Sequence, residues 1–121
     1  MAIKVYEYSG CSTCKQALKY LDTKNVKYEK IAIVDQPPSL AELKQMLIYL
    51  ETSGGGLKNL FNASGVQYRE LKIADKLQAG MTTSGALKLF SQNGKLIKRP
   101  FLLTQKSGTV GFKPETWAKL I

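Results

Sequence analysis

Ile3-Lys4-Val5-Tyr6-Glu7-Tyr8 is a short apolar run with an alternating pattern, and it predicts a strand over residues 3–8. Ser9 and Gly10 follow as turn residues. From Ser12 to about Lys24 the period lengthens. Cys14, Ala17, Leu18 and Leu21 recur at helical spacing, while Lys15, Lys19 and Asp22 fall on the opposite face. Asn25 can close this helix, and Tyr28 to Val34 return to strand character. A strand, a helix and a strand in about 34 residues form a βαβ unit, so the two strands should be parallel.

Pro37 and Pro38 then break the pattern, and Ser39-Leu40-Ala41-Glu42 has the form of a capping box. The helix it starts carries Leu40, Leu43, Met46, Leu47 and Leu50 on one face, a stripe that reads as ordinary core. Gly54-Gly55-Gly56 makes a flexible joint. With no Lys-Ser or Lys-Thr pair after it, the run is not a phosphate loop. Leu57 to Phe61 and Tyr68 to Ile73 are short helical pieces. A longer helix starts at Thr82 or Thr83, carries Ala86, Leu87, Leu89 and Phe90, and ends at Asn93-Gly94.

Strand character returns with Leu96-Ile97. Phe101 to Thr104 and Thr109 to Phe112 then flank Lys106-Ser107-Gly108 as a hairpin. A short helix from Pro114 should bury Trp117, Leu120 and Ile121. Together these elements predict an α/β, thioredoxin-like sandwich with a mixed four-stranded sheet and a helical insertion. Residues 1–121 are expected to form a single domain, with the core in 1–35 and 95–121 and the insert in 36–94.

At 121 residues the chain is long enough for a core without disulfide staples. The formal net charge of +9 comes from sixteen lysines and two arginines against nine acids, dispersed without a basic block. Such a surface suits an anionic substrate or an acidic protein partner. Direct nucleic-acid binding would call for a basic stripe with interleaved aromatics, and it is not expected. There is no signal-peptide pattern and no run of about 20 apolar residues, so membrane association is not expected either. A reducing cytoplasm is the expected compartment.

The chemistry concentrates in Cys11-Ser12-Thr13-Cys14, which holds the only two cysteines. On the first turn of a helix, free N–H groups and the positive end of the dipole favour a thiolate on the outer cysteine. Cys14 shares the apolar face and should point inward, leaving Cys11 outward. Zinc would need about four ligands, and the chain has two cysteines and no histidine. A static disulfide across one helical turn closes too small a loop to stabilise much. Two buried structural thiols would pack as small hydrophobes, but a strand-to-helix junction favours exposure. Thiol redox chemistry is the expectation.

The chain resembles the arsenate reductase and Spx family of small thioredoxin-fold proteins, in its arsenate-reductase-like branch with Cys-x-x-Cys. The resemblance runs end to end, through the Tyr-x-x-x-x-Cys-x-x-Cys opening, Pro37-Pro38-Ser39, Tyr68-Arg69-Glu70-Leu71 and Lys98-Arg99-Pro100. It implies that Cys11 is the catalytic cysteine and that the Arg99–Pro100 bond is cis, opposite it. Ser12, Thr13, Lys15, Arg99, Pro100 and Lys113 are the implied substrate-binding residues. The family's arsenate reductases bind the oxyanion with three arginines. Arg99 matches one, while Asn62 in the insert and Lys113 in the last strand stand at the other two. Lysine supplies charge without a fixed fork, and asparagine supplies neither.

Cys14 is the cysteine found in the Spx regulators, where the pair is a redox switch on a protein that binds RNA polymerase. A glycine after the second helix takes part in that binding, and Gly54 lies near the matching place. Three functions follow. The leading one is a thiol–disulfide oxidoreductase with a Cys11 nucleophile resolved by Cys14. The others are an arsenate reductase and an Spx-type regulator. For an enzyme, the resemblance implies glutaredoxin with glutathione, or thioredoxin, as electron donor and partner. It implies no tightly bound cofactor and no metal.

Overall fold

The computed structural model describes residues 3–63 and 65–121. Met1, Ala2 and Ser64, which the single-domain expectation includes, lie outside the described residues. Four strands form one sheet: β1 (Lys4–Glu7), β2 (Glu29–Ala32), β3 (Phe101–Leu103) and β4 (Gly108–Val110), in the order β2-β1-β3-β4. β1 runs parallel to β2, with Lys4 opposite Glu29 and Glu7 opposite Ala32, as a βαβ unit requires. β3 is antiparallel to both β1 and β4, so the sheet is mixed. The helix α1 (Ser12–Thr23) connects β1 to β2.

Alternation along the strands divides the core. Val5 and Leu102 face α1 and the last helix, α6 (Pro114–Leu120), in a cluster with Ala17, Leu21 and Trp117. Tyr6 and Phe101 face the other way, toward α2 (Leu40–Thr52) and α5 (Thr83–Gln92). Side chains one apart on a strand point to opposite faces, so the short β1 and β3 must be apolar on both. Trp117 is fully buried and its Nε1–H donates to the Gly111 carbonyl at 3.1 Å, which satisfies the indole's polar group. The thioredoxin-like α/β sandwich read from the sequence is this arrangement.

Several details differ from the sequence pattern. Leu40 is 45% exposed and is not part of the core stripe. Residues two apart on a helix stand about 200° apart. Glu42 faces the sheet, which turns Leu40 outward. Leu120 and Ile121 are only half-buried. The predicted helical piece from Tyr68 to Ile73 is broken at Lys72, whose φ of 52° separates α3 (Val66–Glu70) from α4 (Ile73–Gln78). Leu96 closes a 3-10 turn, Gly94–Leu96, and Ile97 makes only an isolated bridge to Phe61. A Cβ at Gly94 would overlap the Ile33 carbonyl, which explains the glycine there.

The start of α2 is tied to β1 by one carboxylate. Glu42 completes the capping box with Ser39, accepts from Tyr6 Oη at 2.7 Å and pairs with Lys4 Nζ at 3.0 Å. Burial alone would raise its pKa. The hydrogen bonds from Tyr6, the Ser39 N–H and Lys4 outweigh burial and hold the carboxyl below its ordinary value. Tyr6 is raised, by burial first and by Glu42 second. A depressed carboxyl stabilises the fold above the unfolded value of about 4.3, and this contribution is lost as pH falls through the lower folded value. Glu42→Gln should therefore cost about 1–2 kcal/mol in urea unfolding at about pH 7. The cost should shrink at about pH 3, and equal losses at both pH values would contradict the network.

Candidate functional site

Cys11 is the N-cap of α1. Its extended backbone (φ −95°, ψ 115°) turns the chain out of β1 into the helix. The Cys11 N–H donates to the Tyr8 carbonyl at 3.0 Å, closing the turn through Ser9 and Gly10. The Cys14 N–H donates to Cys11 Sγ at 3.3 Å, so the sulfur takes the place a serine or aspartate oxygen usually takes at a helix start. Both cysteines are free thiols. Cys11 is partly exposed and Cys14 is fully buried, the inward and outward division read from the helical period.

Burial first, then its hydrogen bond to Cys11 and the charge of Cys11, push the Cys14 thiol up to about 12. The Tyr8 backbone and Arg99 act in the opposite direction and are outweighed. The environment keeps the proton on Cys14.

Cys11 opens on a cavity of about 670 Å³. Thr13, Asn62, Lys98, Arg99 and Lys113 line the same cavity, and among the described residues no acidic side chain does. This is an anion-receptive space beside the Cys11 sulfur. Arg99 comes from the segment before β3, where its peptide bond to the buried Pro100 is cis. Its guanidinium stands 4.6 Å above the Tyr8 ring, and Nη1 donates to the Lys95 carbonyl at 3.4 Å.

Lys113 lies past β4, at the N-cap of α6, rather than in the strand itself. Asn62 arrives from the insert through backbone pairing. Its N–H donates to the Leu96 carbonyl at 2.7 Å, and the Lys98 N–H donates to the Leu60 carbonyl at 2.7 Å. Ser12 and Lys15 are exposed on α1 and do not line the cavity, nor does Pro100. Lys98 is the lining cation that was not singled out in the sequence. The only hint was its place next to Arg99.

A model of the ArsC family matches residues 6–120. The uncharacterized protein YusI of Bacillus subtilis (strain 168) is 41% identical over 98% of this chain and 100% of its own length. The crystal structure of an ArsC family related protein from Bacteroides fragilis matches with a TM-score of 0.88 at 42% identity, covering 100% of both chains. The global transcriptional regulator Spx of Streptococcus agalactiae (serotype V) is 27% identical over 93% of this chain and 78% of its own length.

The unequal thiols give a chemical expectation. Limiting iodoacetamide at about pH 8 should give a single adduct, on Cys11, by peptide mass mapping. Alkylation of Cys14 at a comparable rate would contradict the buried, protonated thiol.

Proposed function

We propose that this chain, which belongs to the ArsC family, is a thiol–disulfide oxidoreductase in which Cys11 attacks and Cys14 resolves. One observation carries this reading. The Cys11 sulfur caps α1, Cys11 lines one cavity with Lys98, Arg99 and Lys113, and Cys14, one helical turn on, is fully buried. The Cys11 thiolate attacks one sulfur of a substrate disulfide. The substrate S–S bond breaks, a Cys11 mixed disulfide forms and the other half leaves as a thiolate.

Cys14 then gives up its proton to that thiolate or to water and attacks the Cys11 sulfur. The second half of the substrate leaves as a thiolate, which water protonates, and Cys11 and Cys14 are joined by a disulfide. Two electrons have moved from the dithiol to the substrate. Glutaredoxin with glutathione, or thioredoxin, restores the dithiol by the same exchange. The electrons travel on sulfur throughout, so the reaction calls for no bound cofactor and no metal. Thr13, Lys98, Arg99 and Lys113 would hold an anionic substrate. Ser12 and Lys15 would meet only a substrate that extends past the cavity.

Arsenate reduction is the second reading, supported by the meeting of Arg99, Lys113 and Asn62 in one cavity with Cys11. The Cys11 sulfur would displace hydroxide from arsenate. Attack of Cys14 on that sulfur would then release arsenite as the disulfide forms. One fixed guanidinium fork and two mobile ammonium groups suit an oxyanion less well than three forks. The regulator reading leans on the relative named Spx and on Gly54. Here the glycine also has a local reason. Its φ of 91°, with the Gly55 N–H donating to the Leu50 carbonyl at 2.8 Å, ends α2 in a Schellman turn.

NADPH consumption should be followed with a small disulfide and with arsenate, each coupled to glutaredoxin with glutathione and separately to thioredoxin. Cys11→Ser is the blank. The reading predicts disulfide-dependent turnover that exceeds the arsenate rate and vanishes in the blank, and Cys14→Ser should accumulate a mixed disulfide at Cys11. Faster turnover with arsenate would replace the first reading by the second. No turnover with either substrate would leave the regulator reading.

A further inference from the structure

We propose that Tyr8 is a positioning residue that fixes the Arg99 guanidinium at the cavity and so makes the site selective for disulfides carrying negative charge. The proposal rests on the oxidoreductase reading and adds a substrate class to it.

Arg99 lines the cavity with Cys11, but Tyr8 does not, so the ring acts on a bound molecule only through the guanidinium. The stacking distance of 4.6 Å is within the range of a cation–π contact. The other restraint on Arg99 is the 3.4 Å bond to the Lys95 carbonyl, long for an N–H donor and weak. Among the described residues no carboxylate pairs with Arg99, since the one ion pair there joins Lys4 and Glu42. The planar fork therefore remains available to an incoming anion.

The Tyr8 backbone carbonyl accepts the Cys11 N–H at 3.0 Å, which places the residue in the turn that carries the nucleophile. Gly10 leaves room for the ring, because a Cβ there would stand 3.1 Å from Tyr8 Cε2. Lys98 and Lys113 are exposed lysines on flexible stems, so Arg99 is the cation with a defined direction. Holding it in advance removes the ordering cost that an anion would otherwise meet on binding.

The test uses fully reduced protein and three aliphatic disulfides of similar size: dithiodipropionate (anionic), hydroxyethyl disulfide (neutral) and cystamine (cationic). Second-order rate constants are compared for wild type, Tyr8→Leu, Tyr8→Phe, Arg99→Ala and the Tyr8→Leu/Arg99→Ala double variant. Tyr8→Leu should lose about fivefold with the anionic disulfide and stay within about twofold with the neutral one. Tyr8→Phe should keep the anionic rate. Adding Tyr8→Leu to Arg99→Ala should change nothing more.

Equal losses with all three disulfides in Tyr8→Leu would overturn the proposal, since the ring would then be supporting the Cys11 turn. So would an unchanged anionic rate. Failure of the wild type to react with any of the three would be a different failure. It would remove the oxidoreductase reading, and the Tyr8 assignment with it.

Discussion

The hydrogen bond from the Cys14 N–H to Cys11 Sγ is the contact on which the site depends. A sulfur can hold that place only if the chain leaves β1 in extended geometry, turns through Ser9 and Gly10, and enters α1 at Ser12. The same turn sends Cys14 to the apolar face of α1, where it is fully buried. One local geometry thus makes two chemically different thiols from two identical residues. The outer sulfur meets the helix N-terminus and the cavity. The inner one is kept neutral by burial and by its neighbour.

The sheet brings the remaining groups to this point. β3 lies beside β1 and runs opposite to it, so the segment entering β3 arrives at the end of β1 where α1 begins. Lys98 and Arg99 sit on that segment. β4 and the start of α6 add Lys113 from the next pass of the chain. The insert joins through the pairing of Leu60 and Asn62 with Leu96 and Lys98, which carries Asn62 to the cavity wall. Cations therefore gather at one end of the sheet while the lysines elsewhere stay dispersed.

The sequence made much of this legible because its patterns are local. The alternation over residues 3–8, the helical period from Ser12 and the capping box at Ser39 each specify an element from neighbouring residues, and all three elements are present. The Cys-x-x-Cys spacing announced an inner and an outer thiol for the same reason. Long-range facts were harder. The orientation of Leu40 depends on Glu42 of α2 reaching Tyr6 and Lys4 on β1, 36 and 38 residues away in sequence. The short backbone bridge at Phe61 and Ile97 replaced an expected strand, and Lys98 became a lining residue through it. The stacking of Arg99 on Tyr8 joins residues with no shared local pattern, so no periodicity could have found it.

The division of labour between the two thiols is the central claim, and counting thiolates tests it most directly. Ultraviolet thiolate absorbance would be followed from about pH 6 to about pH 10 in wild type, Cys11→Ser and Cys14→Ser. The account predicts no thiolate in Cys11→Ser over this range, because burial holds the Cys14 thiol up to about 12. A thiolate that survives in Cys11→Ser, or two in the wild type, would contradict it.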